Sequence, residues 1–187
     1  MASVAFYSDD QAARIAPGAI WIPVAFASVL ALSRTWQRER EEGALTGLLV
    51  APVPRAAIFL GKAASVALFV TAVELIVVPL VALLFHVELL PVLGALTVML
   101  VLGTLGVAAT GTLFGVMTAR TRARDLVLAS VLFPLLSPTL VSGVAGTREL
   151  FAGAPLSELT DYFLLLGVFD AVALLGGVAL FGAIVDD

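Results

Sequence analysis

The chain has no cysteine and a single histidine in 187 residues, and charged residues make up only 13% of it. Without cysteine it has no disulfides, no thiolate metal sites and no covalent C-x-x-C-H haem attachment. An ordinary soluble domain carries about 25% charged residues, so this composition excludes that class. The formal net charge is −4, and the few cations are clustered in short stretches, which gives no indication of nucleic-acid binding.

A phosphate-binding loop is also absent from the sequence. The pair Gly61 and Lys62 is followed by Ala63, and Ala56 stands where a P-loop requires its first glycine. We therefore expect that the chain is not an enzyme and does not hydrolyse ATP itself.

Apolar residues dominate what is present, at 61% of the chain with a mean hydropathy of +1.12. They form runs of about 18–26 residues, the length needed to cross a hydrocarbon core of about 30 Å. These runs are too long for barrel strands, which alternate over about 10 residues. The sequence predicts an all-α polytopic membrane protein whose five transmembrane helices are Ile15–Ser33, Ala63–Phe85, Val92–Met117, Leu126–Ala145 and Tyr162–Val185.

Positive charge indicates the orientation. Residues 34–62 and 118–125 contain all the Lys and Arg residues except Arg14 and Arg148. Short loops rich in Lys and Arg stay in the cytoplasm. We expect both stretches and the C-terminus to be cytoplasmic, and the N-terminus outside, in a multi-pass protein of the bacterial inner membrane.

The first of these stretches changes character along its length. Residues 35–42 carry both signs of charge, as expected of a helix leaving the membrane, and Leu45, Leu48 and Leu49 then form an apolar stripe with helical spacing. Pro52 and Pro54 end this pattern. It predicts a short amphipathic helix at the inner surface, which either rests on lipid headgroups or docks into a groove on a cytosolic partner.

Two acids lie about half-way along predicted spans, Glu74 in the second and Asp170 in the fifth. An ionised Asp there costs about 2.5–3.5 kcal/mol, and the sequence places no Lys or Arg at that depth. We expect these side chains to be neutral or to face a polar cavity. They either handle protons or substrate, or simply bond to another helix.

Small residues and prolines predict how the helices pack. Gly111 and Gly115 form a G-x-x-x-G motif, which marks either a dimer seam or close packing within one subunit. Pro134 and Pro138 should kink or break the fourth span.

The outer side offers weaker signals. Residues 146–160, the outer segment, are expected to form short amphipathic helices at the external interface. Trp21 is either an interfacial anchor or part of the packed or lipid-facing bulk. His86 could ligate haem iron, although a lone histidine without a partner motif is more often a packing residue. No metal site is predicted.

The stretch from Glu41 to Lys62 reads EEGALTGLLVAPVPRAAIFLGK. It resembles the cytoplasmic segment of type-2 ABC transporter permeases. Within that superfamily the chain is most similar to the CcmB family, the haem-exporter permeases of cytochrome c maturation. Three stretches carry the resemblance: ARIAPGAIW (13–21), EEGALTGLLVAPVP (41–54) and LFPLLSPTLVSG (132–143).

The resemblance implies a single permease domain, residues 1–187, that pairs with a second permease subunit in the lipid bilayer and binds a separate cytosolic ABC ATPase. Residues 34–62, the coupling segment, would transmit ATP hydrolysis to the spans. It implies no covalently bound cofactor, and a role in which haem is either the cargo itself or is released from a haem chaperone. Less specifically, the chain could be a type-2 permease for a drug or lipid-linked substrate, or a non-transporting assembly scaffold. The expected ATPase contacts are Glu41, Glu42, Leu45, Leu48, Leu49 and Pro52.

The chain departs from the family pattern in two respects. The family is expected to have six spans, so the first would be missing here, and the opening residues resemble the end of a helix. Ala44 and Gly47 replace polar residues of the coupling segment, and Gly47 costs about 1 kcal/mol of helix propensity relative to alanine.

Overall fold

The computed structural model describes residues 9–42, 47, 52–118 and 124–186, with side chains placed at 14–35, 47, 52–117 and 134–185. The described residues form five helices and no strand, which confirms the predicted all-α class. The helices are α1 (Asp9–Glu42), α2 (Arg55–Phe85), α3 (Leu93–Thr118), α4 (Arg124–Phe151) and α5 (Leu156–Asp186).

Four of the five predicted spans lie wholly inside one of these helices, and the third, Val92–Met117, begins one residue before α3. Most of the helices are longer than the spans. Four stretches of the described residues are long and apolar enough to cross a membrane, namely 14–35, 55–85, 93–117 and 156–185. The fourth predicted span, Leu126–Ala145, lies within α4, where side chains are placed only from residue 134. Helix α2 has 31 residues, about 46 Å at 1.5 Å per residue, so it extends beyond the hydrocarbon core.

Helix α4 runs unbroken through Pro134 and Pro138, so these prolines do not break the span, and the alternative of a kink stays a prediction. Pro138 has no N–H, and the carbonyl of Pro134 therefore loses its usual helical donor. The Ser137 hydroxyl donates to that carbonyl instead, at 2.6 Å. A neighbouring hydroxyl that satisfies the freed carbonyl lets a proline remain inside a membrane helix.

The outer segment does not form separate short helices, so that prediction is also wrong. Its first part ends α4 and its last part begins α5, with a turn at 152–155. Gly153 has a positive φ of 84°, and the amide of Ala154 bonds to the carbonyl of Glu149 at 3.0 Å. This left-handed glycine closes α4 with a Schellman-type cap, and Pro155 prevents the helix from continuing.

Helix α3 lies at the centre and contacts each of the other four helices. In α1 and α3, 56% of the most apolar stretch is buried within the chain, against 22% in α2 and α5. The outer two helices therefore present most of their apolar side chains to the surroundings, as a membrane protein does to lipid.

Trp21 is part of the packed interior of the bundle. Its side chain is fully buried in the main core cluster, and its indole Nε1 donates to Thr147 Oγ1 at 2.9 Å. The ring lies where a Cβ on Gly103 or Gly143 would be, so two glycines in α3 and α4 make room for it. A buried indole N–H needs such an acceptor.

Candidate functional site

The two intramembrane acids lie on different sides of the central helix. Glu74 projects from α2 and is buried, and Thr104 Oγ1 of α3 donates to its Oε1 at 2.6 Å. Asp170 projects from α5 and is equally buried. A Cβ on Gly106 of α3 would overlap its carboxyl oxygen. Thr104 and Gly106 are two residues apart in α3, which separates them by about 200° around the helix and about 3 Å along its axis. The two acids therefore lie on opposite sides of α3 at nearly the same height along its axis.

Asp170 differs from Glu74 in its partners. Neither of its carboxyl oxygens has a hydrogen-bond partner in the described part of the chain. Helix α3, against which it packs, contains no ionisable residue. Buried polar groups are nearly always bonded, and an unsatisfied one calls for an explanation. The Thr110 hydroxyl on α3 is also buried without a partner, and it lies one turn from Gly106 on the same face.

A groove of about 200 Å³ leads from the outer surface of the bundle to Glu74. It runs between α2 and α3 and is mostly apolar, with Leu75, Val78 and Leu96 among the residues that line it. Thr71 and Thr97 are the other polar side chains in it. Glu74 thus joins a surface groove to the interior, whereas Asp170 is enclosed between α3 and α5.

The coupling segment begins as a continuation of α1. The helix continues through the charged residues to Glu42, as the sequence predicts for a helix leaving the membrane. Glu41 and Glu42 lie in its last turn, and their side chains fall outside the described set. Gly47 has helical backbone and Pro52 is exposed. Of the other predicted ATPase contacts, Leu45, Leu48 and Leu49 lie outside the described residues.

The far end of this segment is firmly packed against the bundle. Pro54 precedes α2, and its carbonyl accepts the amide of Ala57 at 2.9 Å. One turn later the buried Phe59 ring packs on Phe181 of α5, with ring centroids 5.7 Å apart. A Cβ on Gly177 would overlap the Phe59 ring. The start of α2 is therefore held against α5.

Phe59 is a residue that the sequence reasoning missed. It belongs to a second, smaller core cluster with Ile58, Ala109, Val116 and Phe181. The signal that could have found it is the pair Gly177 and Phe181, four residues apart on one face of α5, since a small residue lets a neighbouring helix pack closely.

The G-x-x-x-G motif packs within the chain at its first glycine. A Cβ on Gly111 would overlap the Leu32 side chain of α1, and Gly115 is buried. Small residues let the helix backbones approach closely.

His86 ends α2 at the opposite end of the bundle from the coupling segment. It caps the helix with left-handed backbone and is exposed. It lines a pocket between the α2–α3 turn and the α4–α5 turn.

These features define a polytopic α-helical membrane protein with a central helix flanked by two buried acids and a polar helical extension at one end. The chain belongs to the CcmB protein family, whose sequence profile matches residues 6–185.

Several curated relatives share this family. The chain is 32% identical over 137 residues to Heme exporter protein B of Rhodobacter capsulatus, covering 73% of the chain and 62% of the relative. It is 31% identical over 147 residues to Heme exporter protein B of Paracoccus denitrificans, covering 78% and 67%. A third, from Bradyrhizobium diazoefficiens, is 26% identical over 168 residues, covering 86% and 75%. The chain thus spans less than two thirds of the Rhodobacter capsulatus protein.

Proposed function

We propose that this chain is the membrane permease subunit of an ABC exporter that serves haem delivery in cytochrome c maturation. The observation that carries the proposal is the match to the CcmB family over nearly the whole chain. Two relatives named Heme exporter protein B match 73% and 78% of the chain. A bundle with long apolar helices and a polar helical extension suits a permease that is driven by a separate subunit in the cytosol.

ATP is hydrolysed by a separate cytosolic ABC subunit in this proposal. That subunit docks on the coupling segment, with Glu41, Glu42, Leu45, Leu48, Leu49 and Pro52 as its contacts. The packing of Phe59 against α5 supports this arrangement, because a displacement of the segment would be passed to α2 and α5 together. A second permease subunit completes the membrane part.

The orientation follows from the cations. The end of the bundle that carries Glu42, Arg55 and Arg124 faces the cytoplasm of the inner membrane, together with the C-terminus. The turns at 86–92 and 152–155 then face outward. Haem is the cargo, and the haem or haem-bearing partner is released on that outer side.

Glu74 and Asp170 are the functional acids of the membrane interior in this proposal. Glu74 joins the groove between α2 and α3, and Asp170 is buried without a partner among the described residues. Glu74→Gln and Asp170→Asn keep the shape of each side chain but remove its charge and its proton. We expect at least one of the two to abolish cytochrome c maturation. Full activity of both variants would exclude this role.

Complementation tests the function as a whole. The chain is expressed in a bacterium that lacks its own haem-exporter permease, and c-type cytochromes are detected by haem staining of denatured gels. We expect staining to return. Absence of staining, with the chain present in the membrane at the level of the host permease, would contradict the proposal. Restored drug resistance in a drug-exporter mutant, without restored staining, would instead identify a general type-2 exporter.

A further inference from the structure

The outward turns of the bundle enclose a pocket of about 350 Å³ that is open on one side. The end of α2 and the turn after it contribute Phe85, His86 and Pro91, and the last turn of α4 contributes Leu150 and Phe151. Small-molecule sites have this character: a mostly apolar and aromatic lining with few polar groups, and a volume of about 300 Å³ or more.

The capping role of His86 explains its backbone conformation but not the choice of histidine at this position. It is the one non-glycine residue with positive φ in the described part of the chain, at φ 54° and ψ 36°. Its amide bonds to the carbonyl of Ala82 and closes α2. Such a cap needs only left-handed backbone, which glycine or asparagine adopts more readily. The imidazole is therefore additional to the cap, and residues held in disfavoured backbone are concentrated at ligand sites.

The imidazole is available to a ligand. His86 is exposed at the pocket, and its side chain makes no hydrogen bond or ion pair with the described residues. Neutral imidazole is the most common protein ligand for metals. A bare metal ion usually requires three or four protein ligands, and no group of three His, Cys, Asp or Glu side chains was found in the described ranges.

A metalloporphyrin removes that difficulty because it brings four ring nitrogens of its own. One axial imidazole then suffices to hold the iron. We propose that the outer pocket binds an iron porphyrin through His86, with Phe85, Leu150 and Phe151 against the ring. Glu88 is the other ionisable side chain in the lining, so the porphyrin carboxylates remain on the open side, away from it. This inference rests on the proposed function and assigns the outer site to the same cargo.

Absorption spectroscopy tests the assignment directly. The chain is reconstituted in lipid nanodiscs and titrated with ferric haem, and the Soret band is followed. We expect a saturable shift of the band at one haem per chain. In His86→Asn, which keeps the left-handed cap, the shift disappears and affinity falls by at least about 10-fold, the loss caused by removing even an outer partner of a metal ligand.

Three controls separate ligation from apolar adsorption. Glu88→Gln leaves the imidazole in place and should retain both the shift and the affinity. Metal-free protoporphyrin has no iron to ligate and should bind the native chain and His86→Asn equally. Free imidazole added to His86→Asn should restore the shift. An unchanged shift and affinity in His86→Asn would overturn the proposal, as would equal loss of affinity for both porphyrins.

The complementation assay distinguishes this inference from the function on which it rests. Restored cytochrome staining by a chain that shows no His86-dependent Soret shift would remove the outer haem site and leave the permease function standing. A clear His86-dependent shift in a chain that restores no staining would support the outer haem site and contradict the permease function.

Discussion

The membrane interior contains two carboxyl groups in unlike surroundings. Glu74 accepts a hydrogen bond from Thr104, whereas Asp170 has none within the described structure. In lipid a side-chain hydrogen bond between helices contributes about 0.6 kcal/mol on average and up to about 1.7 kcal/mol. An unsatisfied buried group has the opposite effect and lowers stability. The two acids should therefore respond differently to substitution.

Thr104→Val removes the donor to Glu74 and keeps the side-chain shape. We expect the free energy of unfolding to fall by about 0.6–1.7 kcal/mol, measured by denaturation in mixed micelles. Thr104→Ser should retain most of the stability. Thr97→Val is the matched control, because the Thr97 hydroxyl donates to the carbonyl of Leu93 in its own helix. Equal stability of Thr104→Val and Thr97→Val would show that the bond contributes nothing.

Asp170→Leu replaces the carboxyl by an apolar group of nearly the same shape. We expect the thermal unfolding midpoint in detergent to stay the same or rise, since the variant no longer buries two unsatisfied oxygens. Leu166→Ala, one turn away and fully buried, should lower the midpoint because it leaves a cavity. If Asp170→Leu were as damaging as Leu166→Ala, Asp170 would have a structural partner.

Among the helices, α2 and α5 differ from α1 and α3 in that they are mostly exposed. They are nevertheless joined at the end of the bundle where α2 begins. Phe59 packs into a space that Gly177 leaves open and contacts Phe181. Close-packed interiors are bistable and do not deform continuously, so a small displacement of one packed element moves its neighbours. This contact connects the end of the coupling segment to α5.

Phe59→Ala should therefore destabilise the chain by about 3 kcal/mol or more, the usual loss for a buried Phe. Phe59→Leu should lose less because much of the volume remains. Phe69→Ala is the control on the same helix, since Phe69 is half exposed. The measurement is the unfolding midpoint in detergent. Similar midpoints for Phe59→Ala and Phe69→Ala would contradict the packing role.

For the whole molecule, the sequence predicted the five helices well because apolar runs of membrane length are long and uninterrupted. The helix ends were less predictable: α2 begins at Arg55 and not at Ala63, since its amphipathic first turns pack on α5 outside the most apolar stretch. Trp21 against Gly103 and Gly143, and Asp170 against Gly106, could not be predicted. No local pattern connects residues so far apart in the chain.

The orientation is testable because the chain has no native cysteine. Leu90→Cys lies in the α2–α3 turn and is highly exposed, and Thr121→Cys lies between α3 and α4. We expect a membrane-impermeant maleimide added to intact spheroplasts to label Leu90→Cys and to leave Thr121→Cys unlabelled. Both should be labelled after permeabilisation. The reverse pattern in intact cells would invert the proposed topology.

The central claim is that the coupling segment binds a separate ATPase. The most direct measurement captures the tagged chain from membranes of its native host and records the ATP-hydrolysing activity that is captured with it. Leu48→Arg should reduce this activity by about tenfold, as expected for a charge placed in the centre of an interface. Leu90→Arg, at the opposite end of the bundle, should leave it unchanged. Activity captured equally with Leu48→Arg and the native chain, or not captured with the native chain at all, would contradict the account.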